Sequence, residues 1–370
     1  EACEGFYEFF AQCDYFATPN DYQRKLKDGI TNGRNGNGII YVFASGNDFA
    51  FGSDVNYEGI ANTRYTISVG AVGRDGIHAD YSTPGAALFV SAPGGDSTDL
   101  SHQVTAQVGG GCANSGVGTS FACPVVSGIV ALILEANPNL TWRDVQGILA
   151  SHSNKVDDGT DEFAMTNAAG FWHSNYYGFG IPDASAAVEA AKTSWALYGP
   201  ELLIEKESGT IDLIINDDST KAASTQLDVA STAVANFVIE SVVVLLDLEH
   251  ATRGDLTITL TSPSGTSSVI HPGMRPENSQ LDDGQHFELM TVRNWGESAE
   301  GSWTLTIVDE KLGDLSECAD LEPLLYQGGS TLFPCTKLSR TNPVLCSDGQ
   351  VRNEQAANSI RSINGEVSGR

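Results

Sequence analysis

Basic residues are scarce in this 370-residue sequence, which has 20 lysines and arginines against 47 aspartates and glutamates. The formal net charge of −27 repels nucleic acids and attracts cations and basic peptides. We therefore expect no nucleic-acid partner. The same charge also fits a simple solubility feature, so acidity alone does not identify a substrate.

Cys-x-x-Cys pairs are absent as well, which argues against a zinc site. Three of the seven cysteines, Cys318, Cys335 and Cys346, lie near the end of the sequence and indicate disulfides and a secretory compartment. The odd number leaves at least one thiol unpaired, and Cys123 is the best candidate because it lies on an apolar helix. No metal ligands can be assigned from the residues.

Long apolar runs are missing too, since the longest one, near Val125–Leu134, is too short to span a bilayer. The sequence begins at Glu1 rather than methionine and shows no charged-then-apolar leader. We therefore expect a fragment or a processed product. A membrane anchor beyond Arg370 stays open.

Strand and helix patterns alternate up to about residue 199, which is typical of an α/β domain with a parallel sheet. Continuous apolar runs at 38–47, 65–72 and 87–95 suit strands that are buried on both faces. Active-site groups in such folds sit at the carboxyl ends of the strands. Asn47 falls at one of these ends.

The pattern changes near residue 200, where short β runs separated by turns predict a β-sandwich. The remaining segment has little periodicity and contains three cysteines, so we expect a stalk, a small disulfide module or a disordered tail. The predicted domains are therefore 1–199, 200–311 and 312–370.

A small, glycine-rich turn delivers Ser120 to the start of an apolar helical run that contains Pro124. A serine at the N-cap of a helix stands at the positive end of the helix dipole, which suits a nucleophile. An ordinary capping serine is the alternative, but the full string Gly-Thr-Ser-x-Ala-x-Pro-x-x-x-Gly is far more specific. Asn47 and the Ser120 N–H would supply donors for an oxyanion.

The motifs around Asn47 and Ser120, Ala44-Ser45-Gly46-Asn47 and Gly118-Thr119-Ser120, resemble the oxyanion and nucleophile motifs of kexin- and furin-like subtilisin-family proteases. Leu134–Val145 and Tyr177–Gly180 are similar to further segments of that family, and the β region resembles its P domain. The resemblance covers about residues 21–310. It implies a subtilisin-like parallel sheet with helices on both faces, followed by a jelly-roll-like β-sandwich.

The resemblance also implies a serine endopeptidase that cleaves proproteins after basic residues through an acyl-enzyme on Ser120, with Asn47 holding the oxyanion. Glu58, eleven residues after Asn47, matches the acid at the floor of the family's specificity pocket, where it would pair with a substrate Arg or Lys. The pocket walls would be Phe43, Ala44, Ser45 and Gly46. Calcium, peptide substrates and a secretory-pathway or extracellular location are implied as well.

The sequence departs from this family where the catalytic Asp and His should precede the oxyanion Asn, because no histidine occurs before His78. We expect truncation upstream of Glu1 and a chain that is inactive alone. The later histidines are then surface or packing residues, namely His78, His102, His152 and His173.

Smaller departures affect calcium and disulfides. Thr83 stands where furin-like members place a calcium-binding acid, and Val55 and Gly85 replace a disulfide pair. Cys112 matches a family cysteine whose partner lies upstream. The alternative functions are a catalytically inactive scaffold, a binding module built on the P domain, or a subtilase without basic specificity.

Overall fold

The computed structural model describes residues 19–97, 103–156, 159, 161, 163–193, 195–209, 211, 213–230, 237–250, 252–273, 286–311, 344–345, 351–352 and 359–370. The predictions for His102 and for the cysteines at 3, 13, 318, 335 and 346 lie outside these residues.

The first domain alternates helices and strands, as the sequence predicts. Its helices are α1 (Asn20–Asn32), α2 (Thr119–Ala136), α3 (Trp142–Ser151) and α4 (Ala184–Thr193). Its strands are β1 (Tyr41–Ala44), β2 (Thr66–Val72), β3 (Val90–Pro93), β4 (Gln103–Ala106), β5 (Cys112–Gly116), β6 (Ser153–Asn154), β7 (Met165–Thr166), β8 (Trp172–His173) and β9 (Ile181–Pro182). Short 3₁₀ turns occur at Gly33–Gly36, Phe49–Phe51 and Val55–Tyr57.

A three-stranded parallel sheet in the order β1-β2-β3 forms the centre of this domain. Every residue of β2 is buried, which explains its continuous apolar pattern. The carboxyl ends of the strands meet at one edge, so Asn47 after β1 and Gly94 after β3 lie on the same side of the sheet.

Helix α2 covers this sheet, and Val126, Val130 and Ile133 are buried in the shared core. Its 18 residues are long and apolar enough to cross a membrane by length and composition alone. The apolar run near Val125–Leu134, which is too short to span a bilayer, is only part of this helix. Core helices share these properties, and α2 packs against all three strands.

Helix α3 begins with a capping box formed by Thr141 and Asp144. The Asp144 N–H donates to Thr141 Oγ1 over 3.2 Å, and the Thr141 N–H donates to Asp144 Oδ2 over 2.8 Å. These two bonds satisfy backbone donors that have no partner within the helix.

The second domain is built of antiparallel strands. They are β10 (Leu202–Glu207), β11 (Leu213–Ile214), β12 (Ala223–Val229), β13 (Ile239–Glu249), β14 (Leu256–Thr261), β15 (Ser267–His271), β16 (His286–Thr291), β17 (Gly301–Asp309), β18 (Val344–Leu345), β19 (Val351–Arg352) and β20 (Ser359–Gly369). A 3₁₀ turn at Arg253–Asp255 precedes β14.

Two sheets face each other in this domain, with the orders β10-β20-β13-β16 and β12-β17-β14-β15, while β11 pairs with β20. Alternate residues of the facing strands form one apolar core that includes Val244, Leu260 and Leu305. This arrangement confirms the predicted β-sandwich.

Strand β20 differs from the expectation for the tail. Residues 359–369 lie between β10 and β13 and pair with both strands. The apolar pattern of residues 359–369 is too weak to predict a strand. Backbone hydrogen bonds on both sides hold the segment in the sheet instead.

The two domains pack directly on each other through amide side chains. Asn56 Nδ2 donates to Ile270 O over 2.9 Å, and Asn56 Oδ1 accepts the Met290 N–H over 2.8 Å. Asn167 Nδ2 donates to Arg293 O and to Trp295 O, both over 2.8 Å. These bonds replace water partners that the buried groups would otherwise lose.

Candidate active site

Ser120 lies in the first turn of α2 and is exposed to solvent. The predicted N-cap position is wrong, because the N-cap residue is Gly118, whose φ of 137° favours glycine over any residue with a side chain. Ser120 is therefore the second helical residue. Its N–H still belongs to the first turn, where helical donors lack intrahelical partners and the dipole favours negative charge.

Pro124 lies inside α2, beyond its first turn. A proline has no N–H to donate to the carbonyl four residues earlier, and that carbonyl belongs to Ser120. The backbone at Ser120 is consequently less constrained by the helix than at later positions.

Asn47 follows β1 and reaches the same turn. The Thr119 N–H donates to Asn47 Oδ1 over 2.9 Å, and Thr119 Oγ1 lies 3.0 Å from that oxygen and 3.1 Å from Gly46 O. Because an N–H can only donate, the atom that faces Thr119 must be the amide oxygen. The exposed Asn47 side chain therefore keeps its NH₂ group for another acceptor.

The Asn47 amide and the Ser120 N–H converge near Gly118. A Cβ placed on Gly118 would lie 3.6 Å from Asn47 Oδ1, 3.8 Å from Ser120 N and 3.9 Å from Asn47 Nδ2, which are ordinary contact distances. A side-chain NH₂ group and a backbone N–H near a serine hydroxyl are the kinds of donor that an oxyanion site uses. The turn needs glycine for its φ of 137°.

Thr83 supports the strand end that carries Asn47. Its Oγ1 accepts the Asp48 N–H over 3.1 Å, and its own N–H donates to Gly46 O over 3.1 Å. A Cβ on Gly46 would lie only 2.8 Å from Thr83 Oγ1, and Gly46 has a φ of 110°. No sequence pattern predicted this positioning role of Thr83.

The predicted pocket walls are found at the end of β1, where Phe43, Ala44 and Gly46 are half-buried. Ser45 is an exception, since it has no exposed surface and its N–H donates to Val69 O within the sheet over 2.9 Å. The Ser45 side chain therefore offers no surface to a substrate, and a role of this residue in the pocket wall stays a prediction.

Glu58 is half-buried and electrostatically coupled to Asp48. Burial raises the pKa of the Glu58 carboxyl, and the negative charge of Asp48 raises it further. Burial also raises the pKa of Asp48. Asp48, which directly follows Asn47, is a site residue that sequence reasoning missed, although an acid beside the oxyanion motif could have revealed it.

Comparison with known proteins follows the same two-domain division. Residues 13–180 match the subtilase family, and residues 239–318 match the proprotein convertase P-domain. The chain belongs to the subtilase family of serine proteases. Both the fold and the position of the Gly-Thr-Ser turn agree with this membership.

Relatives of this subtilase include kexin of Saccharomyces cerevisiae, which is 34% identical over 298 residues that cover 78% of this chain and 35% of kexin. Proprotein convertase subtilisin/kexin type 6 of Homo sapiens is 36% identical over 300 residues that cover 78% of this chain and 30% of that protein. The chain thus spans about a third of the length of these relatives.

A solved structure with a similar fold is the serine protease of Aeromonas sobria. Its TM-score is 0.76 at 20% identity, with 98% of this chain and 70% of that chain covered. The same bacterial protease in complex with its chaperone gives a TM-score of 0.74 at 21% identity. These likenesses support the fold of the subtilase.

Three histidines of this subtilase make packing contacts, as predicted. His173 is buried and lies 2.9 Å from Leu88 O, and His152 Nδ1 lies 3.0 Å from Ile148 O. His78 stacks on Tyr176 with a centroid separation of 4.7 Å. Burial, followed by the charge of Arg293, lowers the pKa of His173 to about 3, so this imidazole is neutral.

The residues near Thr83 do not fit the calcium site that the family resemblance implies. Thr83 is fully buried, and its neutral hydroxyl already accepts the Asp48 N–H. It lacks the charged oxygens that calcium sites use. Among the residues that the structure describes, no group of three or more His, Cys, Asp or Glu side chains could hold a metal ion. Calcium elsewhere in the protein stays a prediction.

Two of the seven cysteines lie in described segments, and both are free thiols. Cys112 is exposed, whereas Cys123 is half-buried with Sγ 3.5 Å from Val42 O. Burial raises the pKa of the Cys123 thiol, which keeps it protonated. The thiol predicted to be unpaired is thus unpaired here, while the other disulfide predictions stay open.

Proposed function

We propose that the full-length protein is a serine endopeptidase of the kexin-like proprotein convertase type. Ser120 is its nucleophile and Asn47 its oxyanion donor. The observation that carries the proposal is the 2.9 Å bond from the Thr119 N–H to Asn47 Oδ1, because it holds the Asn47 amide beside the turn that presents Ser120.

In the proposed reaction, Ser120 Oγ attacks the substrate carbonyl while a general base takes its proton. The carbonyl oxygen becomes an oxyanion between Asn47 Nδ2 and the Ser120 N–H, and the amine leaves to form an acyl-enzyme that water hydrolyses. The family resemblance places the base and its orienting Asp ahead of Asn47 in the chain, so we propose that a part of the protein outside this sequence supplies both.

A preference for basic substrates is the second part of the proposal. Glu58 supplies a half-buried negative charge, and Asp48 adds a second one beside it. A substrate Arg or Lys would relieve the repulsion between the two carboxylates as well as pair with Glu58. We further propose that its substrates are proteins or peptides of the secretory pathway. The protease itself would act there with or without a membrane anchor.

Fluorophosphonate labelling of the full-length protein tests the nucleophile, because the probe reacts only with an activated serine. We expect labelling of the parent at Ser120 and none of Ser120→Ala. A matched control is Ser127→Ala, which removes a neighbouring exposed serine of α2 whose hydroxyl donates to Cys123 O over 3.0 Å. An unlabelled parent would favour the inactive scaffold or the P-domain binding module.

Peptides that end in Arg or Leu test the specificity. Glu58→Gln removes the charge but keeps the size of the side chain, so it should lower kcat/KM for the Arg peptide by about 10-fold to 100-fold and spare the Leu peptide. Equal losses on both peptides would favour a subtilase without basic specificity.

A further inference from the structure

The hydroxyl of Tyr81 connects the end of β3 with the turn that precedes Ser120. It lies 2.6 Å from Gly95 O and 2.9 Å from Gly94 O, to which it can donate, and it accepts the Gly118 N–H over 2.9 Å. Gly118 N also lies 3.0 Å from Gly94 O, so its proton is shared between the two acceptors. One phenol oxygen thus bonds both sides of this junction.

The backbone of Tyr81 forms a hydrogen bond with the segment that follows Asn47. Its carbonyl accepts the Phe49 N–H over 3.2 Å, two residues after Asn47. Tyr81 therefore has one bond toward the oxyanion donor and another toward the nucleophile turn. The loop of Tyr81 spans the gap between two strand ends that no strand pairing connects directly.

Space around the hydroxyl is restricted. A Cβ on Gly94 would lie 2.6 Å from Ala71 Cβ, 2.9 Å from Gly118 O and 3.0 Å from the Tyr81 oxygen. The backbone at Gly94 therefore packs so closely against Gly118 and Tyr81 that a side chain would not fit between them. Burial raises the pKa of Tyr81 to about 12, so its hydroxyl stays a donor at any pH at which a protease works.

We propose that Tyr81 is a positioning residue that sets the distance between the Asn47 amide and Ser120, and so tunes the oxyanion site of the proposed protease. This inference rests on the proposed function. The hydrogen bonds of Tyr81 go to backbone groups next to the candidate site and not to Ser120 or Asn47. It acts through Gly118 on one side and through Phe49 on the other.

The expected consequence concerns the transition state more than substrate binding. An oxyanion forms only during the reaction, so a misplaced donor lowers kcat and leaves KM almost unchanged. A shift of a fraction of an ångström at such a site is enough to change the rate, because positions within about 1 Å matter up to about 100-fold.

The test compares Tyr81→Phe with Tyr177→Phe in the full-length protein. Tyr177 is a matched control, because its buried hydroxyl also accepts a backbone N–H, that of His78 over 3.0 Å, but not one of the nucleophile turn. Each variant is measured for Tm, for kcat and KM on one peptide, and for binding of two ligands. The first ligand is a peptidyl boronic acid, which forms a tetrahedral adduct with the serine, and the second is the product peptide.

For Tyr81→Phe we expect kcat and boronic acid affinity to fall by the same factor, about 10-fold, with KM and product affinity within about twofold of the parent. Tyr177→Phe should keep all four values within about twofold of the parent, while its Tm should fall by about as much as that of Tyr81→Phe.

Three results would overturn the inference. In the first, kcat and boronic acid affinity of Tyr81→Phe stay at the parent values. In the second, Tyr81→Phe and Tyr177→Phe lose the same amount of activity. A Tyr81→Phe protein that no longer folds, beside a folded Tyr177→Phe, would assign Tyr81 to the fold instead. An inactive parent would overturn the proposed function as well, whereas an active parent with a silent Tyr81→Phe would overturn this inference alone.

Discussion

Arg143 of α3 and Glu240 of β13 form a two-point ion pair across the boundary between the two domains. Arg143 Nε lies 2.7 Å from Glu240 Oε2, and Arg143 Nη2 lies 2.7 Å from Glu240 Oε1. Both side chains are only 4% exposed. Arg143 also donates to Gly199 O over 2.8 Å and to Gly369 O over 3.0 Å. One guanidinium therefore joins α3 to β13, to β20 and to Gly199, which lies between the two domains in the chain.

Breaking this pair should destabilise the protein strongly, because the remaining partner is left as an uncompensated buried charge. We expect Arg143→Met to lower the free energy of unfolding by about 3–5 kcal/mol, as measured by urea titration. The double variant with Glu240→Leu should lose less than Arg143→Met alone.

Lys221→Met provides the matched control for that measurement. Lys221 and Asp218 form an exposed ion pair within 2.8 Å, and surface pairs of this kind contribute little. We expect no measurable change in unfolding free energy for this variant. If Arg143→Met were equally silent, the ion pair would not be what joins the domains.

Asn47→Asp separates the two functions of the Asn47 side chain. The aspartate keeps an oxygen that can accept the Thr119 N–H but loses the NH₂ group that would face the oxyanion. We expect kcat to fall by on the order of 10²–10³, the loss known for a single oxyanion donor in a subtilisin-type site, with Tm close to the parent. Activity near the parent level would remove Asn47 from the oxyanion site.

The preference for Arg over Leu peptides should depend on pH through Glu58. Because burial and Asp48 raise the pKa of Glu58, its carboxyl takes up a proton at a higher pH than an ordinary glutamate does. A protonated Glu58 cannot pair with Arg, so the ratio of the two kcat/KM values should fall as pH decreases. Asp48→Asn removes one cause of the raised pKa and should move this fall to lower pH, and a pH-independent ratio in the parent would contradict the prediction.

His173 should make the protein less stable in acid. Its pKa in the folded state is lowered to about 3 from an ordinary 6.5, so below pH 6.5 the unfolded chain binds a proton that the folded chain does not. The free energy of unfolding should fall with decreasing pH between these values, by at most about 1.4 kcal/mol per pH unit from this group.

The variant His173→Gln keeps a donor for Leu88 O but cannot take up a proton, so it should show a shallower decline in unfolding free energy between pH 6.5 and 4. An equal decline in the parent and in His173→Gln would mean that acid destabilises the protein through other groups.

The sequence predicted those helices and strands whose residue pattern reports their own burial or their own local hydrogen bonds. The β2 run is apolar because both of its faces are buried, and the Thr141–Asp144 box begins α3 because the two residues satisfy each other. Strand β20 escaped prediction because its stability comes from β10 and β13, which lie more than 100 residues away in the chain.

The sequence by itself determined that Ser120 lies at the start of an apolar helix, that Asn47 follows a strand, and that a β-sandwich comes after the α/β domain, because turn chemistry and apolar periodicity are local properties. The prediction that the strand before Asn47 is buried on both faces is wrong, because all four residues of β1 are only half-buried. Only the tertiary structure decided that Gly118 rather than Ser120 caps α2, that Ser45 is buried, and that Thr83, Asp48 and Tyr81 surround the site. The contacts of Thr83 and Tyr81 join segments that lie far apart in the chain, since 35 residues separate Asp48 from Thr83 and 37 separate Tyr81 from Gly118. Side-chain hydrogen bonds across such separations leave no periodic trace in the chain.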